Sequence, residues 1–448
     1  MFYHIYPLGF CGCPAWNDFS SPAGDGLRGI ESLIPHLRRL GVDAVYIGPL
    51  FESTAHGYDT LDYFHIDRRL GNNADFHHLS RAFHQNDMRV VLDAVFNHVG
   101  RHFFAFKDVQ QNCENSLYRD WFANLDFSKY SPQGDSFMYE GWNDYYDLVK
   151  LNGYSRAVRE HLFAAVEFWI REFDIDGLRL DAADQLLPDF MDDLSQRCQA
   201  LKPDFWLIGE VVAGDYRKFL FNESGGKRLD SVTNYELYKG LWSSFNDRNF
   251  FEIAWTLNRQ FGEQGLYRNS LLYSFADNHD VNRVASILKN PVHLFPLYGL
   301  LFTMPGIPSL YYGSEFGVTG TRSPHSDKAL RPSWETVVHS QSPVHSADLF
   351  NALKTFAEIR KNSPALQNGS YRQLYVSHEQ FAFARTTDRE TVVVAVNASK
   401  RTTSLTLPVR SNQWKDRLNG EIFSAPDGVL RLSLFPSWIR VLATVSAS

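Results

Sequence analysis

From its first residues to about residue 315 the chain repeats one pattern. An amphipathic helix is followed by a short break, then by a short run rich in β-branched and aromatic residues that ends in polar side chains. Eight such runs can be read: "FYHIYPLGF", "VDAVYIGPLF", "RVVLDAVFNH", "IDGLRLDAAD", "DFWLIGEVV", "LDSVTNYEL", "LLYSFADNHD" and "IPSLYYGSEF". Among the helices, "RGIESLIPHLRRLG" places Ile30, Leu33, Ile34, Leu37 and Leu40 at helical spacing and predicts one helix stopped by Gly41. "SRAVREHLFAAVEFWIREF" puts Val158, Leu162, Val166, Trp169 and Phe173 on one face, with Ser155 as the expected cap. Alternating strand and helix builds a parallel sheet, and eight units predict closure into a (β/α)8 barrel.

Two stretches leave the pattern. Residues 100–152 are polar and aromatic with no clean period, where a short loop would suffice after the third strand. Segments of that length in a compact fold usually carry function. After about residue 364 the pattern becomes short β runs such as "FAFARTT", "ETVVVAVNAS" and "WIRVLATV", which predict an antiparallel β-sandwich. The expected organisation is a barrel over 1–99 and 153–363, an inserted domain over 100–152 and a C-terminal sandwich over 364–448.

Composition removes several function classes. A net charge of −7 argues against nucleic acid or an anionic membrane surface as partner, because both need a basic face. No run approaches the length of a membrane span, and "MFYHIYPLGF" lacks the basic and apolar regions of a signal peptide, so a cytoplasmic location is expected. Cys11, Cys13, Cys113 and Cys198 form no metal-binding spacing and are expected as free thiols. Neither His56 nor the His77–His78 pair sits at a strand end in a ligand pattern, so no metal-dependent hydrolase site is indicated.

The strand ends carry the chemistry. In "GLRLDAAD", Leu178 and Leu180 share one face and Arg179 and Asp181 the other. The leucines can pack outward, leaving Arg179 and Asp181 at the barrel mouth, where functional side chains of this fold collect. An arginine two residues before an aspartate keeps that carboxylate ionised and oriented, whether the pair is structural or catalytic. "LIGEV" adds Glu210, "FADNHD" adds Asp277, His279 and Asp280, and "DAVFNH" adds Asp93, Asn97 and His98. Several carboxylates in one water-poor mouth drive their pKa values apart, the requirement for a nucleophile and an acid acting on one glycosidic bond.

Taken in order, "DAVFNH", "GLRLDAAD", "IGEV" and "FADNHD" make the chain resemble the α-amylase superfamily, glycoside hydrolase family 13. The resemblance implies that Asp181 is the nucleophile, Glu210 the general acid/base and Asp280 the third carboxylate, which grips sugar hydroxyls. It implies that Arg179 supports Asp181, that His98 and His279 hydrogen-bond the sugar, and that Tyr58 in "HGYDTLDYF" stacks under it. Asp59 stands where some members grip a non-reducing end, and Asp93 is expected as the partner of Arg179. The insert matches the place of the family's domain B.

"HGYDTLDYF" and "DLVKLN" bring the chain nearest to the neopullulanase, cyclomaltodextrinase and maltogenic amylase group. It departs from that group in three ways. The first barrel strand begins at once, where the group usually has an N-terminal β domain, which leaves the oligomeric state open. Gln185 replaces a glutamate, and it is not the histidine found there in many α-amylases, so the usual calcium is not expected and no cofactor is, with Asn97 left as a candidate calcium ligand. Val212 replaces a tryptophan two residues after the acid/base, which leaves hydrolysis against transfer open. The resemblance implies an oligosaccharide substrate and a retaining hydrolase of α-1,4 bonds in maltooligosaccharides, extending to cyclodextrins, pullulan or starch. A 4-α-glucanotransferase, an exo-acting α-glucosidase and an inactive carbohydrate-binding barrel are the alternatives.

Overall fold

A computed structural model describes residues 1–324 and 326–445. Eight parallel strands coincide with the eight runs read from the sequence: β1 (Phe2–Ile5), β2 (Ala44–Ile47), β3 (Arg89–Ala94), β4 (Gly177–Leu180), β5 (Trp206–Gly209), β6 (Ser231–Val232), β7 (Tyr273–Phe275) and β8 (Ile307–Tyr311). They form one sheet in the order β6-β5-β4-β3-β2-β1-β8-β7. An isolated parallel bridge from Thr233, the residue after β6, to Tyr273 in β7 continues the pairing. The fold is the (β/α)8 barrel. Its strands are short and almost wholly buried, as expected of a parallel sheet covered on both faces.

The chain divides into two compact units. The first holds His4–Arg38 and Asp43–Val232. Here the helix expected over residues 28–41 is two, Gly26–Glu31 and Ile34–Leu40. Pro35 is the reason: it has no N–H to give the preceding turn and is tolerated in the first turn of a new helix. Gly41 does end the pair, at φ +76. The long helix runs Arg156–Phe173 with Ser155 at its N-cap position, but the Ser155 side chain caps nothing. Its hydroxyl donates instead to Asp120 Oδ2 at 3.3 Å. Trp169 of this helix is fully buried, stacks on Phe51 at 4.2 Å and donates to the Tyr63 carbonyl.

The segment after β3 is more ordered than its missing period implied. It contains the helix Phe104–Asn112 and a three-stranded antiparallel sheet of His98–Gly100, Tyr145–Lys150 and Gly141–Trp142. Each piece is too short to show a hydrophobic period. Its core is a ring cluster in which Phe106 meets Phe122, Phe137 and Tyr139 edge-on. Arg101 grips Asp135 with both nitrogens, at 2.7 and 2.9 Å, and lies over the Phe106 ring.

The second unit takes in Met1–Tyr3, Arg39–Val42 and the chain from Thr233 on. Beyond β7 and β8 it carries an antiparallel six-stranded sheet with a separate two-stranded sheet, Thr403–Pro408 with Val429–Leu434. Leu405, Leu407, Trp414, Leu430, Leu432 and Leu442 share one core. Two short strands, Gln413–Asp416 and Ile422–Ser424, had no distinct sequence signal. The helix Leu294–Thr303 ends in carbonyls bound by buried arginines: Arg360 takes Phe302 O and Met304 O, and Arg385 takes Thr303 O. All four cysteines are free thiols. Among the described residues no helix is long and apolar enough to cross a membrane.

Candidate active site

In the first unit, the register of β3, β4 and β5 places Asp93 beside Arg179, and Arg179 beside Ile208. Register neighbours in a parallel sheet project to the same face, so Asp93 and Arg179 meet side by side. Asp181 and Glu210 each follow their strand by one residue. Their backbone N–H groups still donate across the sheet, to Ala94 O at 3.1 Å and Leu180 O at 2.9 Å. Both carboxylates are therefore held by the end of the ladder rather than by a loose loop.

One guanidinium connects this set. Arg179 Nη1 lies 2.8 Å from both Asp93 Oδ1 and Asp181 Oδ1, and Nη2 lies 2.7 Å from Glu210 Oε1. Burial alone would depress the guanidinium, but Asp93 and Glu210, followed by the Tyr46 and Tyr58 hydroxyls, hold its pKa well above the ordinary arginine value. Arg179 is a fixed cation. Asp93 spends its second oxygen on the hydroxyls of Tyr46 at 2.8 Å and Tyr58 at 3.0 Å. After Asp181 the chain turns through Ala182 in the left-handed region, at φ 44, which is costly for a residue with a Cβ. That turn aims the Ala182 N–H at Glu210 Oε2, 3.0 Å away.

Tyr58 and Asp59 lie on the turn before the strand Thr60–Ile66. The Asp59 carboxylate accepts from the N–H groups of Ala55 at 2.7 Å and Gly57 at 3.1 Å, so it shapes the turn that presents Tyr58. A Cβ on Gly100 would fall 2.5 Å from the Asp59 carbonyl, so only glycine lets the insert start this close to the turn. His98 is 2% exposed. Its Nδ1 is 3.3 Å from Asn97 Nδ2, and its Nε2 has no hydrogen-bond partner among the described residues. Burial, with a smaller push from His56, drives its pKa down to about 3, and the imidazole is neutral.

In the second unit, His279 and Asp280 follow β7. His279 Nε2 is 2.9 Å from Asp280 Oδ2, and Arg331 Nη2 is 3.0 Å from Asp280 Oδ1. Arg331 also donates through Nε to the His279 carbonyl at 3.1 Å. Asp277, three residues earlier, is a structural group: it accepts from the Val284 N–H at 2.9 Å and the Ser314 hydroxyl at 2.7 Å. Burial raises its pKa against the opposing pull of Arg283.

Of the residues singled out by the sequence, Tyr58, Asp59, His98, Arg179, Asp181 and Glu210 gather in the first unit, while His279 and Asp280 pair in the second. Sequence reasoning missed Tyr46 and Arg331. Tyr46 has the burial pattern of any strand residue, and Arg331 lies in a loop with no local motif. Only the tertiary fold gives either of them a carboxylate.

The description "Alpha amylase, catalytic domain" matches residues 4–348, and "Maltogenic Amylase, C-terminal domain" matches residues 371–437. The chain belongs to the alpha-amylase family. It is 32% identical over 426 residues to a cyclomaltodextrinase of Geobacillus thermopakistaniensis (strain MAS1), covering 92% of this chain and 69% of the relative. It is 32% identical over 428 residues to neopullulanase 2 of Thermoactinomyces vulgaris, covering 92% and 70%. Among solved structures, the ligand-free cyclic alpha-maltosyl-(1→6)-maltose hydrolase from Arthrobacter globiformis superposes with a TM-score of 0.81 at 27% identity, covering 99% of this chain and 98% of that one. This alpha-amylase family chain is a glycoside hydrolase, and its relatives are α-glucan hydrolases.

Proposed function

We propose that the chain is a retaining hydrolase of α-1,4-glucosidic bonds in maltooligosaccharides, cyclic ones included, releasing small sugars such as maltose. The observation that carries this reading is the single buried guanidinium that joins Asp181 and Glu210. It holds two carboxyl groups of different surroundings at one place, as double displacement needs.

Asp181 Oδ attacks the anomeric carbon while Glu210 gives its proton to the departing glucosidic oxygen. The carbon–oxygen bond breaks and a glycosyl ester forms on Asp181. Glu210, now a carboxylate, takes a proton from water, whose oxygen attacks the same carbon and releases Asp181. Arg179 orients Asp181 and balances its negative charge before the attack and after the release. Neutral His98 offers a hydrogen bond to a sugar hydroxyl, and the Tyr58 ring supplies a stacking face. By its family motif Asp280 is the third carboxylate, with His279 beside it, and Arg331 orients it. A relative named for a cyclic dextrin and a structural neighbour named for a cyclic maltosyl-maltose support short or cyclic substrates over long chains.

Asp181→Asn, which keeps the shape of the side chain, should lower turnover by at least about a thousandfold, ~4 kcal/mol of lost transition-state stabilisation, with the thermal transition retained. NMR of the fresh reaction should show the α-anomer first. Substantial turnover in the variant or an initial β-anomer would overturn the assignment. Transfer is the second reading. Val212, 55% exposed where the group carries a tryptophan, leaves the acceptor side open, and products longer than the substrate would favour it.

A further inference from the structure

We propose that Cys11 and Cys13, on the turn after β1, are a dithiol that a hydroperoxide closes to a disulfide, and that this closure reversibly weakens sugar binding beside Tyr58. Double displacement uses neither thiol. The effect on binding rests on the α-glucan reading, whereas the chemistry of the two sulfurs does not.

The backbone holds the two residues on one tight turn. Pro7–Phe10 is a single helical turn followed by Cys11 at its C-cap. The Cys13 N–H donates to Leu8 O at 2.9 Å and the Gly12 N–H to Gly9 O at 2.8 Å, the paired bonds that end a helix through a left-handed residue. Gly12 is that residue, at φ 65. Across this turn the Cys11 thiol donates to the Cys13 sulfur. Gly26 leaves room on the other side: a Cβ there would fall 2.9 Å from both the Cβ and the Sγ of Cys11. Both cysteines are free and half-buried, within reach of a small oxidant.

The two sulfurs are unlike. The hydrogen bond from Cys11 holds the Cys13 pKa below the ordinary thiol value against the opposing effect of burial, and the Arg69 guanidinium adds to the lowering. The same bond, together with burial, raises Cys11 well above that value. The thiolate is the nucleophile, so Cys13 attacks first. Its sulfur takes the outer oxygen of the hydroperoxide and the O–O bond breaks. The leaving oxygen takes up the proton that Cys13 released, and Cys13 becomes a sulfenic acid. The Cys11 sulfur then attacks the Cys13 sulfur, the S–O bond breaks, and the Cys11 proton leaves with that oxygen as water. Two thiols give up two electrons, and the hydroperoxide is reduced by the same two. A disulfide across one intervening residue closes a small ring, and strained or exposed disulfides are the readily reduced ones.

The consequence follows from what Cys13 holds. As a thiol it donates to the Arg69 carbonyl at 3.3 Å. Arg69 ties this turn to the one that presents Tyr58: its Nη1 donates to Pro14 O at 3.1 Å and to Ala55 O at 2.7 Å. The Ala55 N–H donates in turn to the carboxylate of Asp59, the residue after Tyr58. From β1 the Tyr6 hydroxyl donates to the His56 carbonyl at 2.7 Å, on the same turn. All of these groups lie within the first unit. A disulfide consumes the Cys13 S–H, and the Arg69 carbonyl loses that donor. The pull toward Cys11 also shifts the backbone at Cys13 and Pro14, whose carbonyl Arg69 holds. The turn carrying Tyr58 is then less firmly placed.

The test is treatment of the full chain with hydrogen peroxide, followed by thiol titration, peptide mass and steady-state kinetics on maltotriose. The four free thiols should fall to two, and the N-terminal peptide holding Cys11 and Cys13 should lose about 2 Da. KM should rise about 2- to 5-fold, the worth of one weak hydrogen bond, with kcat nearly unchanged, and dithiothreitol should reverse both the mass change and the KM change. Cys11→Ser and Cys13→Ser, which keep a hydroxyl in place of the thiol, should match the parent when reduced and show no KM rise that dithiothreitol reverses. Cys113→Ser should respond as the parent does. An unchanged N-terminal peptide, a disulfide to Cys113 or Cys198 or between chains in its place, or the expected disulfide with KM unmoved would each overturn the switch. A reduced chain that turns over no α-glucan would overturn the α-glucan reading and the effect on binding with it, while the peptide mass still decides the disulfide.

Discussion

Arg179 Nη1 stands 2.8 Å from Asp181 Oδ1 and equally 2.8 Å from Asp93 Oδ1, so one nitrogen serves a carboxylate assigned to chemistry and another that is fully buried. The two partners make different demands. Asp181 needs the cation for orientation, and Asp93 needs it in order to be buried as an anion at all.

This separates stability from catalysis. Arg179→Met should cost about 3–5 kcal/mol of stability, because Asp93 is left as an uncompensated buried charge. The double variant Arg179→Met/Asp93→Asn should recover more than half of that in a denaturant titration, while both remain inactive. A single variant as stable as the parent would show that the Asp93 carboxyl is neutral or otherwise satisfied.

His98 makes stability depend on acid. Its folded pKa of about 3 lies below its ordinary 6.5, so between those values the unfolded chain binds the extra proton. Stability is fully present above about pH 6.5 and is lost as pH falls, by up to ~1.4 kcal/mol per unit. Unfolding curves of His98→Asn should fall less steeply over pH 6.5 to 4 than those of the parent. Parallel curves would count against a neutral buried imidazole.

Asp176 starts the strand that leads to Asp181, yet it belongs to the other end of the barrel. Burial would raise its pKa, but His84, Lys202 and the Val90 N–H outweigh this and hold it at about 2. Its contribution is present above the ordinary carboxylate value and lost as pH falls toward 2. Asp176→Asn should cost about 1–2 kcal/mol after allowance for solvent screening, with kcat per folded molecule unchanged. A large fall in kcat with intact folding would place Asp176 in the reaction.

Chelation should leave the enzyme working. Gln185 sits in the short turn Ala183–Gln185, where the resemblance would place a carboxylate or a histidine. Calcium takes six to eight oxygen ligands. Among the described residues no three His, Cys, Asp or Glu side chains are grouped to hold an ion. Excess EDTA should leave the rate within about twofold of the untreated enzyme. A loss restored by calcium alone would reveal a site built from amides and backbone carbonyls.

Much of the site was legible because strand ends are local features. Arg179, Asp181 and Glu210 each sit within one residue of a strand end whose position the hydrophobic run already marks. The helix break before Pro35 was legible in principle, since proline has one meaning there. The insert was not. Its elements are two to nine residues long, mostly shorter than the window over which a period can be counted.

The amino-acid order by itself determined the eight strand–helix units, the side of each strand that carries charge, and the family to which the chain belongs, because these depend on periods of two and 3.6 residues and on short contiguous motifs. The tertiary structure alone decided that Tyr46 and Tyr58 both complete Asp93, that Arg331 serves Asp280, and that the Ser155 hydroxyl meets Asp120 and caps nothing. The physical reason is the same in each case. A hydrogen bond depends on two groups arriving within about 3 Å with the right direction. Between residues tens or hundreds of positions apart, that is a property of strand register and loop path, on which the local sequence of either partner is silent.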